Sequence, residues 1–158
     1  MPPRTSSFDP YRTFKFRVRM NGATIAGVTK VSALGRSVAS TELKEGGDLL
    51  GPRQMPGQVS YDEVTLEQGW SADSALENWA NEVTRLHADP GGVKRFKHTV
   101  FIDVFALNGN PASSAPMTSY RLSRAWVSKY VAMPELSADN GGIGIRTVTL
   151  RHEGWERV

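Results

Sequence analysis

Three histidines, one adjacent carboxylate pair and two glycine clusters are the residues best suited to chemistry here, and their spacing argues against each. His87, His98 and His152 lie outside helical or strand reach of one another, so no HxxxH-type pair exists to start the ligand set that zinc requires. His87, at a predicted helix end, suits the carbonyl dipole, and the other two fall in polar strand phases. Asp62 and Glu63 are neighbours in a predicted strand, where successive side chains point to opposite faces and cannot share a substrate. Glu42 and Glu45 flank a glycine loop and could meet, but solvated loop charges account for them equally well. No serine sits in a G-x-S-x-G elbow. The chain has no cysteine, which removes thiol catalysis, disulfides and thiolate metal sites. Gly46-Gly47 and Gly51 lack the Lys-Ser/Thr ending of a phosphate loop, and Gly142-x-Gly144 enters a strand instead of opening a helix. The row Lys15, Arg17 and Arg19 could face a polyanion, although such charges more often solvate or protect a sheet edge. No catalytic constellation survives, no cofactor or metal is expected, and the reading tilts toward a structural or binding protein.

The elements that would carry these residues are mostly strands. Phe14, Phe16, Val18 and Met20 alternate with Lys15, Arg17 and Arg19, the period of a half-buried strand. It stops at Asn21-Gly22, a hairpin turn signal. Residues 23–28 and 31–34 read as short strands separated by Gly27, and 38–43 as another. From Glu45 to Gln58 the pattern gives way to Gly46, Gly47, Gly51, Pro52, Pro56 and Gly57, a long loop of the kind that often has a function. A strand is expected over 59–67, with a bulge near Asp62. Leu76, Trp79, Ala80, Val83 and Leu86 form one apolar stripe, predicting a helix between Ala72 and His87 that packs on the outside of the sheet. Ser74 with Glu77 fits a capping box, with Ser71 a rival cap. Residues 99–107 form the most apolar strand, covered on both faces, with Asp103 as its lone polar inward member. Residues 120–131 and 143–155 complete the pattern, the last with a phase change expected between Ile145 and Val148. Asn108-Gly109 and Asn140-Gly141 offer two more turns. About seven strands and one helix without βαβ alternation predict a mainly β fold, an antiparallel barrel or sandwich with one flanking helix.

At 158 residues the chain suits one compact domain. Hydrophobic residues make up 39% and charged residues 22%, a globular balance. Lys and Arg number 19 against 16 Asp and Glu, a net charge of +3 spread along the chain, unlike the concentrated basic face of a nucleic-acid binder. No apolar run approaches the roughly 18 residues of a membrane span, and Met1 to Pro10 has no apolar core to serve as a secretion signal.

Six segments in order resemble the contractile-tail tube proteins: the tail tubes of myophages and the inner tubes of extracellular contractile injection systems, akin to the haemolysin-coregulated protein of type VI secretion. They are YRTFKFRVRM-NG from Tyr11, VTKVSALG from Val28, ELKEGGD from Glu42, MPGQVSYDEVTLEQG from Met55, SALENWANEV from Ser74, and AWVSKYVAMPELSADNGGIGIRTVTLRHEGWER from Ala125. The Pro- and Ser-rich stretch from Gly109 to Met117 departs from the family pattern. The resemblance implies an N-terminal arm over 1–10 and a single tail-tube β-barrel over 11–158, with six protomers in a ring and rings stacked into a tube. It implies sheath and baseplate proteins as partners, and a lumen passing DNA or protein cargo without sequence-specific binding. It further implies no membrane insertion by this chain, and a place in a virion tail or injection particle assembled in the bacterial cytoplasm. Contacts between subunits and rings are expected at Phe8, Tyr11, Glu45, Gly46, Gly47, Asp48, Leu49, Leu50, Pro52, Arg53 and Met55. The alternatives are a baseplate tube-initiator or sheath-adaptor subunit of the same fold, or, in another class, a β-barrel module binding nucleic acid or carbohydrate.

Overall fold

The computed structural model describes residues 15–43, 46, 51, 53–70, 73–88, 96–106, 115–138 and 144–158. Along them run β1 (Lys15–Met20), β2 (Ala23–Thr24), β3 (Val28–Val31), β4 (Arg36–Leu43), β5 (Arg53–Tyr61), β6 (Val64–Gly69), α1 (Ala75–Ala88), β7 (His98–Phe105), β8 (Thr118–Val131), β9 (Ile145–Arg151) and β10 (Trp155–Arg157). Every strand pair is antiparallel. Eight strands share one wrapped sheet in the order β2-β1-β7-β8-β9-β6-β3, with β10 also paired to β8, while β4 and β5 form a ribbon of their own. The fold is mainly β, an antiparallel barrel-like sandwich with one flanking helix.

Strand β8 organises the wrap. It is 14 residues long. Its first part pairs with β7 on one edge and β10 on the other, and its second part pairs with β9. Between them Arg124 adopts a left-handed φ of 51°, and facing it Gly154 has a φ of 149°. Ser123 N donates to Gly154 O at 2.8 Å and Glu153 N to Ser123 O at 2.9 Å, closing the corner. This bulged bend folds β2-β1-β7-β8 over β8-β9-β6-β3 so that their inward faces meet. On the far side the chain itself joins the two layers, turning at Gly27 between β2 and β3. There Ile25 N donates to Val18 O and Gly69 N to Gly27 O.

The inward faces supply Val18, Met20, Val100, Ile102 and Leu122 from one layer and Val64, Leu66, Val127, Val148 and Leu150 from the other. Leu76, Trp79 and Ala80 belong to the same buried cluster. The helical stripe therefore closes the core directly, where the periodicity alone placed the helix outside the sheet. Burying the Trp79 indole requires a partner for its N–H, and Phe96 O accepts it at 2.7 Å.

Several boundaries differ from expectation for physical reasons. The helix cap is Asp73, whose Oδ1 accepts Ala75 N at 2.9 Å, so neither Ser74 nor Ser71 takes that role. Its Oδ2 accepts Ala26 N at 2.8 Å, fastening the helix start to the β2–β3 corner. The strand expected over 59–67 is two strands, broken at Asp62 and Glu63 where the ribbon leaves the body. The piece expected over 31–34 lies at Val28–Val31, paired with β6. Pairing of β9 with β6 is continuous from Ile145 to Leu150, so the final phase change falls after Arg151. The turns at Asn108 and Asn140 lie outside the described residues. Asn21 and Gly22 have φ of 54° and 77°, the paired positive values of a two-residue hairpin turn.

Because Arg124 is held left-handed, a branched residue there should cost stability. Arg124→Val is expected to lower the unfolding free energy by about 1–2 kcal/mol and Arg124→Gly to leave it within about 0.5 kcal/mol. Chemical denaturation of both variants checks this. Equal losses would detach the corner from the strain.

Candidate assembly interface

The outward face of β1 and β7 is built around one carboxylate. Alternation places Arg17, Arg19, Phe101, Asp103 and Phe105 together, and the register sets Arg17 opposite Asp103 and Arg19 opposite Phe101. Asp103 is wholly buried. Arg19 donates to it through Nε at 2.5 Å, Arg17 through Nε at 3.0 Å, and Ser119 Oγ at 2.7 Å. The guanidiniums also lie over aromatic rings, Arg17 at 5.1 Å from Phe105 and Arg19 at 4.9 Å from Phe101. Burial pushes the Asp103 carboxyl up, but the hydrogen bonds from Arg19, Ser119 and Arg17 outweigh it and hold it below the usual carboxylate value. The basic row is thus neither an open polyanion site nor a simply solvated face, since two of its members are committed to one internal anion.

The β4–β5 ribbon is a different surface. Every residue of β4 is exposed, and so is every residue of β5 except Tyr61. Val38 pairs directly with Val59, Thr41 with Met55 and Leu43 with Arg53, and an extra β5 residue bulges between the first two of these pairs. Alternation along β4 puts Val38 on one face and Leu43, beside Met55, on the other. Each of these four apolar side chains is close to half exposed. At its root the ribbon is firmly anchored. Tyr61 packs against His152 and Trp155, and Arg36 lies over the Trp155 ring at 5.3 Å. Trp155 Nε1 donates to Gly35 O at 3.2 Å.

Of the contact residues expected from sequence, Phe8, Tyr11, Glu45, Gly47, Asp48, Leu49, Leu50 and Pro52 lie outside the described residues. Gly46 is an exposed turn residue, and Arg53 and Met55 stand on β5. Residues 53–58, expected as loop, are strand. Pro56 and Gly57 are tolerated because β5 pairs only with β4, leaving an edge for the proline nitrogen and a bulge for the glycine. The sequence reading missed Val38, Leu43 and Val59 as contact candidates. Their signal was an apolar residue at intervals in a strand otherwise rich in Ser and Thr.

Nothing else in this region has catalytic geometry. His98 Nε2 lies 3.4 Å from Glu82, and His152 Nε2 lies 2.9 Å from Asp62 O. Among the described residues no three His, Asp or Glu side chains converge on one point.

The Asp103 cluster yields a pH prediction. A carboxyl whose folded pKa is depressed contributes fully above its unfolded value, near 3.9, and loses that contribution as pH falls through the lower folded value. Asp103→Asn should therefore cost about 2–3 kcal/mol at pH 7, less than for a fully buried pair because the arginines stay partly in water. The gap from the unsubstituted chain should shrink below about pH 4 in urea denaturation. A gap independent of pH would contradict the ion-pair account.

With this geometry in view, the chain was compared with known proteins. The sequence profile of the T4-like virus tail tube protein gp19 matches residues 12–156. No curated protein matches. Among solved structures the chain is similar to one in the PVC sheath–tube complex of an extracellular contractile injection system, in the extended state. That likeness has a TM-score of 0.75 at 21% identity, covering 94% of this chain and 91% of the other. A chain of the anti-feeding prophage tube-terminating cap matches with a TM-score of 0.74 at 20% identity, covering 98% of each. Hcp1 from Flavobacterium johnsoniae matches with a TM-score of 0.56 at 12% identity, covering 90% and 93%. At these identities the structures speak for the fold, while the profile spans nearly the whole sequence. The chain belongs to the T4-like virus tail tube protein gp19 family.

Proposed function

We propose that this chain is the structural subunit of the inner tube of a contractile phage tail or injection system, six copies forming a ring and rings stacking into a hollow conduit for DNA or protein cargo. One observation carries the reading beyond family membership: a ribbon anchored at its root, with apolar side chains exposed on both faces. A two-stranded hairpin alone is marginal in water, and neighbouring copies would supply the cover it lacks. In this reading residues 1–10 are an arm and 11–158 the barrel domain. Contacts between copies involve Phe8 and Tyr11 with the ribbon tip and its flank: Glu45, Gly46, Gly47, Asp48, Leu49, Leu50, Pro52, Arg53 and Met55. Sheath and baseplate proteins meet the outside of the tube, and cargo passes without sequence-specific binding. The chain catalyses nothing and inserts into no membrane. It works in a virion tail or injection particle put together in the bacterial cytoplasm.

Negative-stain electron microscopy across a concentration series tests this. Six-fold rings or hollow stacks are expected. Replacing the ribbon tip, residues 44–52, with a two-residue turn should abolish tubes while changing protomer stability by less than about 1 kcal/mol, since the tip adds little to the core. A particle that stays monomeric at every concentration would contradict a self-assembling tube and favour an initiator or adaptor.

A further inference from the structure

The exposed large apolar residues divide between two ends of the molecule. Val38, Leu43, Met55 and Val59 are on the ribbon, which leaves the body where β6 begins. Trp70, Met133 and Leu136, exposed by 50%, 56% and 63%, belong to the other end. The register fixes this opposition. Val64, just after the ribbon root, pairs with Leu150, whereas Gly69 pairs with Ile145 and Val131 with Thr147. Trp70 follows Gly69 directly, and Met133 lies two residues beyond the end of β8. Met117 and Val158, also exposed, sit by the start of β8, near the ribbon root through Tyr120 and Trp155.

Trp70 is exposed yet fixed. Its N–H donates to Gly144 O at 3.1 Å, and its ring lies so close to Gly144 that a Cβ there would come within 2.5 Å of it. A half-exposed indole already held in place needs little ordering to bind, which is the property of an interface anchor.

Resting on the tube reading, we infer that the ribbon of one copy docks on the Trp70, Met133 and Leu136 end of the copy stacked next to it. The two surfaces are different and lie at opposite ends, so the contact is head to tail and leaves a free ribbon and a free acceptor after each addition. Such a contact propagates as an open stack. Length is compatible: β5, with nine residues, spans about 30 Å, against about 20 Å for the six-residue β6. The ribbon thus reaches past the rim of a neighbour and lays Leu43 and Met55 against its end.

The absence of native cysteine makes the test direct. Single-cysteine chains Met55→Cys and Leu136→Cys are oxidised separately and as an equal mixture, with Met55→Cys and Met133→Cys as a second pair. Mixed disulfides should exceed same-chain dimers at least about tenfold in one of the two mixtures. In parallel, Trp70→Asp should keep the thermal unfolding of the protomer and still form rings, while the concentration at which stacks appear rises at least about tenfold. If the unsubstituted chain stacks, Trp70→Asp stacks at the same concentration and neither mixture cross-links, this docking is wrong and the tube reading stands. If the unsubstituted chain never stacks, both fall.

Discussion

A strand that belongs to two sheets must bend, and the rest of the molecule follows from where β8 does so. At Arg124 the backbone goes left-handed, and Gly154 on the facing chain gives way with it. Without that corner, Leu122 and Val127 could not both face one interior, and the inward rows of β7 and β9 would have no common core. The same bend carries the end of the chain alongside β8 as β10. That brings Trp155 beside Tyr61 and Arg36, where it fixes the root of the ribbon.

The two surfaces left outside this core have opposite characters. Around Asp103 the outward face satisfies itself: one buried carboxylate accepts from two arginines and a serine, and the guanidiniums cover aromatic rings. Such a network rigidifies the sheet and needs no further partner. The ribbon and the Trp70 end are unfinished by the same standard, with apolar side chains in water and few contacts to hold them. A protomer with a self-sufficient centre and incomplete ends suits a chain that completes itself by adding copies of itself.

Much of this was readable from local pattern. Asn21-Gly22 after an alternating run announced the first hairpin, and the stripe from Leu76 to Leu86 announced the helix. Both signals are carried by neighbouring residues. Asp103 could be seen as an oddity in an apolar strand, but its arginines lie 84 and 86 residues away, and only the β1–β7 register brings them together. Arg124 gave no warning, because the left-handed turn is imposed by strand partners and not by arginine. Pro56 and Gly57 misdirected the reading toward a long loop, since a strand paired on one edge accepts residues that an interior strand refuses. The contact surfaces were least legible. An exposed Leu43 or Trp70 acquires meaning only from a second copy, and a single sequence describes one.

The central claim is that the ribbon is completed by assembly, and backbone hydrogen exchange resolved along residues 36–43 and 53–61 tests it most directly. In dilute protomer these amides should exchange orders of magnitude faster than those of Val100 to Leu122 in the core, and they should become strongly protected at concentrations where stacks form. Core-like protection in the dilute protomer, unchanged on concentration, would contradict the account, because the ribbon would then be stable without a neighbour.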